Sequence, residues 1–191
     1  MAVEIERRFL VTDQGWRSHL RWGAHIVQGY LVADHNGLVL RVRSSETRPE
    51  GATQAAGAAE PGATRASLTL KAPDRNPAAR GGALSRLEFE YAIPPGDARA
   101  LLALSPHQLS KSRYGLNLPA GDWVVDVFEA ANAPLMVAEV ELSHPDQVVA
   151  IPSWCGREIT GRHELSNAAL AARPLQRWSA AERAALLAPE L

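Results

Sequence analysis

The 191-residue chain has a single cysteine, Cys155, so an intrachain disulfide is excluded. That fits a reducing compartment. Its setting, Ile151-Pro-Ser-Trp-Cys-Gly156, suits a packed thiol better than a nucleophile. No run of about 18 apolar residues occurs, and the N-terminus leads straight into charged residues. Neither a helical membrane span nor an export signal is expected, and the expected location is cytoplasmic. A surplus of either charge is also lacking. Lys and Arg total 20 against 21 Asp and Glu, a formal net charge of -1. No bulk field favours nucleic acid or a membrane surface, and any polyanion must be recognised by local clusters of Lys and Arg. The six histidines form no His-x-x-x-His pair, which argues against histidine-ligated zinc. Gly81-Gly82 and Gly121 lack the Lys-Ser/Thr ending of a phosphate loop. Aromatic residues are only 6% of the chain, and Trp16, Trp22, Trp123, Trp154 and Trp178 read as packing residues.

What is present is enough apolar residue, 46%, for one sizeable core, and the length favours a single domain spanning 1–191. Asp13 to Trp16 reads as a capped turn or short helix. Runs at 25–32 and 38–43, joined by Asn36-Gly37, predict a hairpin. Residues 44–66 have no apolar periodicity and read as a long flexible loop, followed by a strand at 67–71. A second polar loop, 73–82, precedes a strand at 85–91. Asp97 to Leu104 has helical spacing and stops at Ser105-Pro106. Strands are expected again at 109–114, 123–129 and 135–142. Two C-terminal helices are expected within 158–191, at 158–172 and 179–188.

The strands carry charge in a sorted way. Glu4 and Glu6, Arg41 and Arg43, Glu88 and Glu90, Lys111 and Arg113, and Glu139 and Glu141 are like-signed pairs spaced i, i+2. Lys71 and Asp126 are single charges of the same kind. Alternation places each pair on one strand face, while Ile5 and Phe9, Leu40 and Val42, Leu68 and Leu70, Leu87 and Phe89, and Val125 and Val127 occupy the other. A solvated face explains the alternation but not the sorting, because adjacent like charges are unfavourable there. A barrel with a charged interior explains both, provided the interior has an occupant, since unpaired buried charge is costly. A polyphosphate with divalent cations suits such an interior: carboxylates hold Mg²⁺ or Mn²⁺, and Arg and Lys hold phosphate oxygens.

In order, Glu4-x-Glu6, Arg41-Val42-Arg43, Thr69-Leu70-Lys71, Glu88-Phe89-Glu90, Lys111-Ser112-Arg113-Tyr114, Asp126 and Glu139-Val140-Glu141 resemble the strand motifs of the CYTH superfamily, the triphosphate tunnel metalloenzymes, and especially the bacterial inorganic tripolyphosphatases. The resemblance runs from Val3 to about Asn167. It implies an α+β fold: a closed eight-stranded antiparallel β-barrel, or triphosphate tunnel, with helices packed outside and a C-terminal helix. It also implies metal ligation by Glu4, Glu6, Asp126, Glu139 and Glu141. Triphosphate binding would fall to Arg8, Arg41, Arg43, Lys71, Lys111 and Arg113, and catalysis to Arg8, Lys111, Arg113, Glu88 and Glu90.

The family's opening motif is Glu-x-Glu-x-Lys, and here the last position is Arg8. Arginine keeps the charge but holds its proton and offers a planar fork instead of a compact ammonium. Hydrolysis of a triphosphate, most simply inorganic tripolyphosphate, with Mg²⁺ or Mn²⁺ is the expected activity. Adenylyl cyclase or thiamine triphosphatase activity, or polyphosphate binding without turnover, are the alternatives. The expected partner is a small triphosphate, with no nucleic acid or membrane and a possible homodimer.

Overall fold

A computed structural model describes residues 2–34, 36–48, 62–73 and 84–187. Among these residues nine strands form one antiparallel sheet: β1 (Ala2–Val11), β2 (Leu20–Ala33), β3 (Val39–Arg48), β4 (Thr64–Pro73), β5 (Leu84–Ala92), β6 (His107–Leu116), β7 (Asp122–Phe128), β8 (Met136–Glu141) and β9 (Cys155–Glu158). Their spatial order is β5-β4-β3-β2-β6-β7-β8-β1-β9, and β5 pairs with β1 as well. Three helices accompany them: α1 (Pro95–Leu104), α2 (Asn167–Ala172) and α3 (Ala180–Leu187).

The closed eight-stranded barrel expected from the sequence is corrected here to a nine-stranded sheet. Pairing between β1 and β5 runs only from Ala2–Glu88 to Glu6–Leu84. At Phe9 and Val11 that edge of β1 is taken by a ninth strand, β9. The result is a tunnel-like sheet whose wall is divided at β1. The hairpin expected at Asn36-Gly37 forms between β2 and β3, where Gly37 adopts a φ of 87° and the Asp34 carboxylate accepts from the Leu38 amide at 2.7 Å. Part of the expected 44–66 loop is strand, since β3 continues to Arg48 and β4 starts at Thr64. Residues 49–61, and 74–82 of the second expected loop, lie outside the described residues. The helix expected from Glu158 is corrected as well: Glu158 ends β9, and α2 begins only at Asn167.

The two faces of the sheet are covered differently. On the outer face, Ile5, Phe9, Trp123, Val125, Ala138 and Val140 pack under Trp16, Val149 and Trp154, side chains of a 3-10 turn and of the segment leading to β9. Helix α1 covers a smaller patch containing Val42 and Ala66. The helices α2 and α3 do not share this outer position. They join inward-facing apolar residues at one end of the tunnel: Leu10, Tyr30, Val39, Leu109, Phe128 and Val137 meet Leu165, Leu170, Leu175, Trp178 and Leu186. Leu165 and Leu170 are fully buried. Burying side chains of this size contributes about 1.5–3 kcal/mol each, so the C-terminal segment is a seated plug.

Candidate active site

Register converts the sorted charge of the sequence into opposed charge in space. Cross-strand neighbours point to the same side, and Arg8 stands opposite Glu139, Arg113 opposite Asp126, and Lys71 opposite Glu88. A further row runs Tyr30, Arg41, Thr69, Glu90 across four strands. Like-signed pairs along a strand thus become mixed pairs across strands. One row breaks the rule, for Glu6 stands opposite Glu141.

These rows enclose a cavity of about 260 Å³, whose wall includes Glu4, Glu6, Arg8, Tyr30, Arg41, Arg43, Lys71, Arg113 and Glu139. Plug residues Ser166, Asn167, Ala168, Ala169 and Ala172 close part of it, with His163 beside them. Lys71 Nζ donates to both oxygens of Glu4, at 2.7 and 2.6 Å, and lies 3.2 Å from Glu88. Arg41 donates to Thr69 Oγ1 at 3.1 Å and approaches Glu90 at 3.4 Å. The Arg113 guanidinium bridges Asp126, at 2.7 and 2.6 Å, to Glu139 at 2.5 Å. Arg8 Nε donates to Glu139 Oε1 at 3.1 Å.

Titration follows from who is paired. Burial alone would raise Glu139, but the guanidinium groups of Arg113 and Arg8 hold it far below the carboxylate range. Asp126, also buried, is held down by Arg113 and Lys111. Glu4 is likewise lowered, its burial outweighed by Lys71. Glu6 goes the other way: burial, then the neighbouring charges of Glu139 and Glu4, push it up to about 7. Arg43 is displaced too, down to about 9, by burial and by the adjacent cations Arg41 and Arg113. Among the described residues no carboxylate lies within ion-pair distance of Arg43, and its buried Nε has no hydrogen-bond partner. Burial, reinforced by Arg113 and Arg43 against the pull of Asp126, lowers Lys111 to about 7.

The residues expected from the sequence therefore divide into two groups. Glu4, Glu6, Arg8, Arg41, Arg43, Lys71, Arg113 and Glu139 reach the cavity. Lys111, Asp126, Glu88, Glu90 and Glu141 are not in its wall. Lys111 and Asp126 are wholly buried behind Arg113, bonded to each other, and Lys111 Nζ also donates to Asn167 Oδ1 at 3.2 Å. Glu88 and Glu90 hold Lys71 and Arg41. Glu141 is exposed, and burial and then Glu4, Asp122 and Glu88 raise it.

Sequence reasoning missed Tyr30, whose buried hydroxyl accepts from Gln28 Nε2 at 2.6 Å, although its place in the row with Arg41 follows from the hairpin register. It also missed Asn167 and His163, both of which lie in the cavity wall. Cys155 is a half-buried thiol, raised to about 12 by burial and outside the cavity wall.

The chemistry of the acidic wall fits a hard divalent cation. Glu6 is a carboxylate with no cation bonded to it among the described residues, flanked by the charges of Glu4 and Glu139. Among the described residues no group of three acidic, histidine or cysteine side chains is gathered closely enough to enclose an ion, and Glu4 and Glu139 are ion-paired to Lys71, Arg8 and Arg113. Among the same residues no helix is long and apolar enough to cross a membrane.

No protein-family profile matches the chain. It is 31% identical over 180 residues to an inorganic triphosphatase of Acetivibrio thermocellus, covering 93% of this chain and 99% of that one. The crystal structure of the inorganic triphosphatase NE1496 superposes with a TM-score of 0.55 at 28% identity, over 90% of this chain and 95% of the other. Protein PH1819 of Pyrococcus horikoshii OT3, at 18% identity and a TM-score of 0.50 over 78% and 79% of the two chains, shares the fold. With the order of charged strand motifs and the tunnel they line, these likenesses show that the chain belongs to the CYTH superfamily, the triphosphate tunnel enzymes, among its hydrolytic inorganic triphosphatases.

Proposed function

We propose that the protein hydrolyses inorganic tripolyphosphate in its tunnel, with Mg²⁺ or Mn²⁺ as cofactor. The observation that carries this reading is the cavity itself. Four guanidinium groups, of Arg8, Arg41, Arg43 and Arg113, and the Lys71 ammonium share one wall with the carboxylates of Glu4, Glu6 and Glu139 around about 260 Å³. That is below the roughly 300–1,000 Å³ of pockets for drug-sized organic ligands and suits a short, highly charged chain of phosphates. The kinship with inorganic triphosphatases supports the same substrate class.

In this reading Arg43, with no carboxylate to hold it, is the first cation available to a phosphate oxygen, and Arg41 and Arg113 give directional contacts on either side. Lys71 contributes a point charge once it leaves Glu4. Glu4 and Glu6, with Glu139, are the residues that would hold the cation, which when bound neutralises charge developing on the phosphate oxygens. Lys111, Asp126, Glu88 and Glu90 act one step back: they keep Arg113, Lys71 and Arg41 extended toward the cavity before any substrate arrives. Such prior orientation lowers the reorganisation needed in an in-line displacement.

The test is to incubate the protein with tripolyphosphate, pyrophosphate, ATP and thiamine triphosphate, each with Mg²⁺ or Mn²⁺, and to measure phosphate release and cyclic nucleotide formation. Metal-dependent release from tripolyphosphate above all the others is expected. Tight tripolyphosphate binding without release would overturn hydrolysis.

A further inference from the structure

Arg8 occupies the position where the family motif carries lysine, and its guanidinium points three ways. Nε donates to Glu139 at 3.1 Å. Nη1 donates to the main-chain carbonyl of Leu165 at 3.2 Å. Nη2 is buried and has no hydrogen-bond partner among the described residues, although the side chain lines the cavity and Arg8 as a whole is only 4% exposed. Leu165 closes the short turn His163–Leu165 that leads into α2, the helix forming the inner surface of the plug. The backbone here is clamped as well: Arg8 N donates to Thr160 Oγ1 at 3.0 Å, and Ile159 N donates to Arg8 O at 2.8 Å. A second tie joins the plug to the site floor, from Lys111 Nζ to Asn167 Oδ1.

We infer that Arg8 is a positioning and specificity residue: it holds the plug shut over the cavity and makes that hold depend on an occupant at Nη2. The inference rests on the proposed triphosphate chemistry. The three nitrogens of a guanidinium are fixed in one plane, so an anion on Nη2 orients the plane and thereby the Nη1 bond to Leu165. An unpartnered buried N–H is costly, and filling it favours the arrangement in which all three directions are satisfied. Lysine keeps the charge and has three N–H donors, but all on one nitrogen, whereas Arg8 reaches Glu139 and the Leu165 carbonyl from two separate nitrogens and keeps the third for a phosphate oxygen. A held plug leaves room for a short inorganic chain and excludes a triphosphate with an organic end.

The deciding experiment compares wild type, Arg8→Lys and Asn167→Ala by hydrogen–deuterium exchange of the 163–172 segment, with and without tripolyphosphate, and by kcat/KM for tripolyphosphate and ATP. In wild type, tripolyphosphate should slow exchange of this segment. In Arg8→Lys the segment should exchange about tenfold faster without ligand and lose the ligand-induced slowing. The preference for tripolyphosphate over ATP should fall by a similar factor. Asn167→Ala, which loosens the plug without touching Arg8, should shift exchange and selectivity in the same direction. If Arg8→Lys retains wild-type exchange and selectivity, positive charge alone suffices and the inference is overturned. Equal loss on both substrates with unchanged exchange overturns it too, by reducing Arg8 to a phosphate contact. Faster plug exchange in Asn167→Ala with unchanged selectivity removes the plug from substrate choice. Absence of all triphosphate hydrolysis in wild type would instead refute the proposed function, and the exchange measurements do not depend on turnover.

Discussion

Replacing Glu6 by Gln should stabilise the metal-free protein at neutral pH while weakening its response to metal. The carboxyl titrates near 7 instead of its ordinary 4.5, because it is buried and then because Glu139 and Glu4 stand beside it. A folded-state value above the unfolded one means that the native state holds the proton more tightly between these two limits. The contribution to stability is therefore complete below about pH 4.5 and is lost as pH rises through about 7. For a displacement of this size the loss is on the order of 3 kcal/mol by pH 8. Glutamine occupies the same volume, carries no charge and does not titrate. Urea unfolding in the presence of a chelator should show wild type and Glu6→Gln nearly equal near pH 4.5. By pH 8 the variant midpoint should stand higher by on the order of 1 M urea. Glu88 and Glu141 are also raised, but they are common to both proteins and cancel in the difference. Added Mg²⁺ with tripolyphosphate should then raise wild-type stability more than that of the variant. A stability difference that does not change with pH, or a variant less stable at pH 8, would refute the reasoning.

Asp126→Ala removes the carboxylate that holds the wholly buried Lys111 amine, itself lowered to about 7 by burial, and both hydrogen bonds that Arg113 donates to it. A loss of about 3–5 kcal/mol is expected in chemical denaturation at pH 7, and a loss under 1 kcal/mol would mean that Arg113 and Glu139 carry the network alone. Arg43→Ala should have the opposite balance: stability neutral or improved, because the half-buried guanidinium has no acidic partner among the described residues, and tripolyphosphate affinity by calorimetry reduced by about 1.5–3 kcal/mol. Glu4 holds Lys71 through both carboxylate oxygens, so a cation taken up by Glu4 frees the ammonium for phosphate. Metal and tripolyphosphate should accordingly strengthen each other's binding by a common factor at constant ionic strength, and Lys71→Met should shrink that factor; unchanged coupling would leave Lys71 outside the exchange.

Much of this tunnel is legible in the residues because strand alternation is rigid. Once Arg41 and Arg43 share a face, the hairpin at Gly37 fixes Gln28 and Tyr30 beside them, and the charged side of each strand follows from parity alone. The plug was harder to read. Leu10, Val39, Leu109, Phe128 and Val137 have the same parity as the charged residues on their own strands, but each follows or precedes the charges by two positions and looks like an ordinary strand-end hydrophobe. Only when register brings five strands together do they form an apolar mouth that needs Leu165 and Leu170. Strand β9 escaped for another reason. Cys155-Gly-Arg-Glu158 has neither length nor alternation, and its conformation is set from outside, by pairing to β1 and by the Arg7–Glu158 bond at 3.0 Å.

The charges that reveal function are the ones the fold leaves unbalanced. Ion pairs such as Lys111–Asp126 and Arg113–Glu139 are satisfied before any ligand is present, and by themselves they describe only a polar interior. Arg43 and Glu6 differ. Both are displaced toward their uncharged forms, Arg43 down to about 9 and Glu6 up to about 7, and neither has an oppositely charged partner within ion-pair distance among the described residues. Folding leaves both groups without an opposite charge, and in the proposed reading an anion at Arg43 and a cation at Glu6 supply it. Both line the same cavity. A free phosphate would satisfy one need and a free metal ion the other, whereas a metal-bearing polyphosphate satisfies both at once and relieves the repulsion each group now carries.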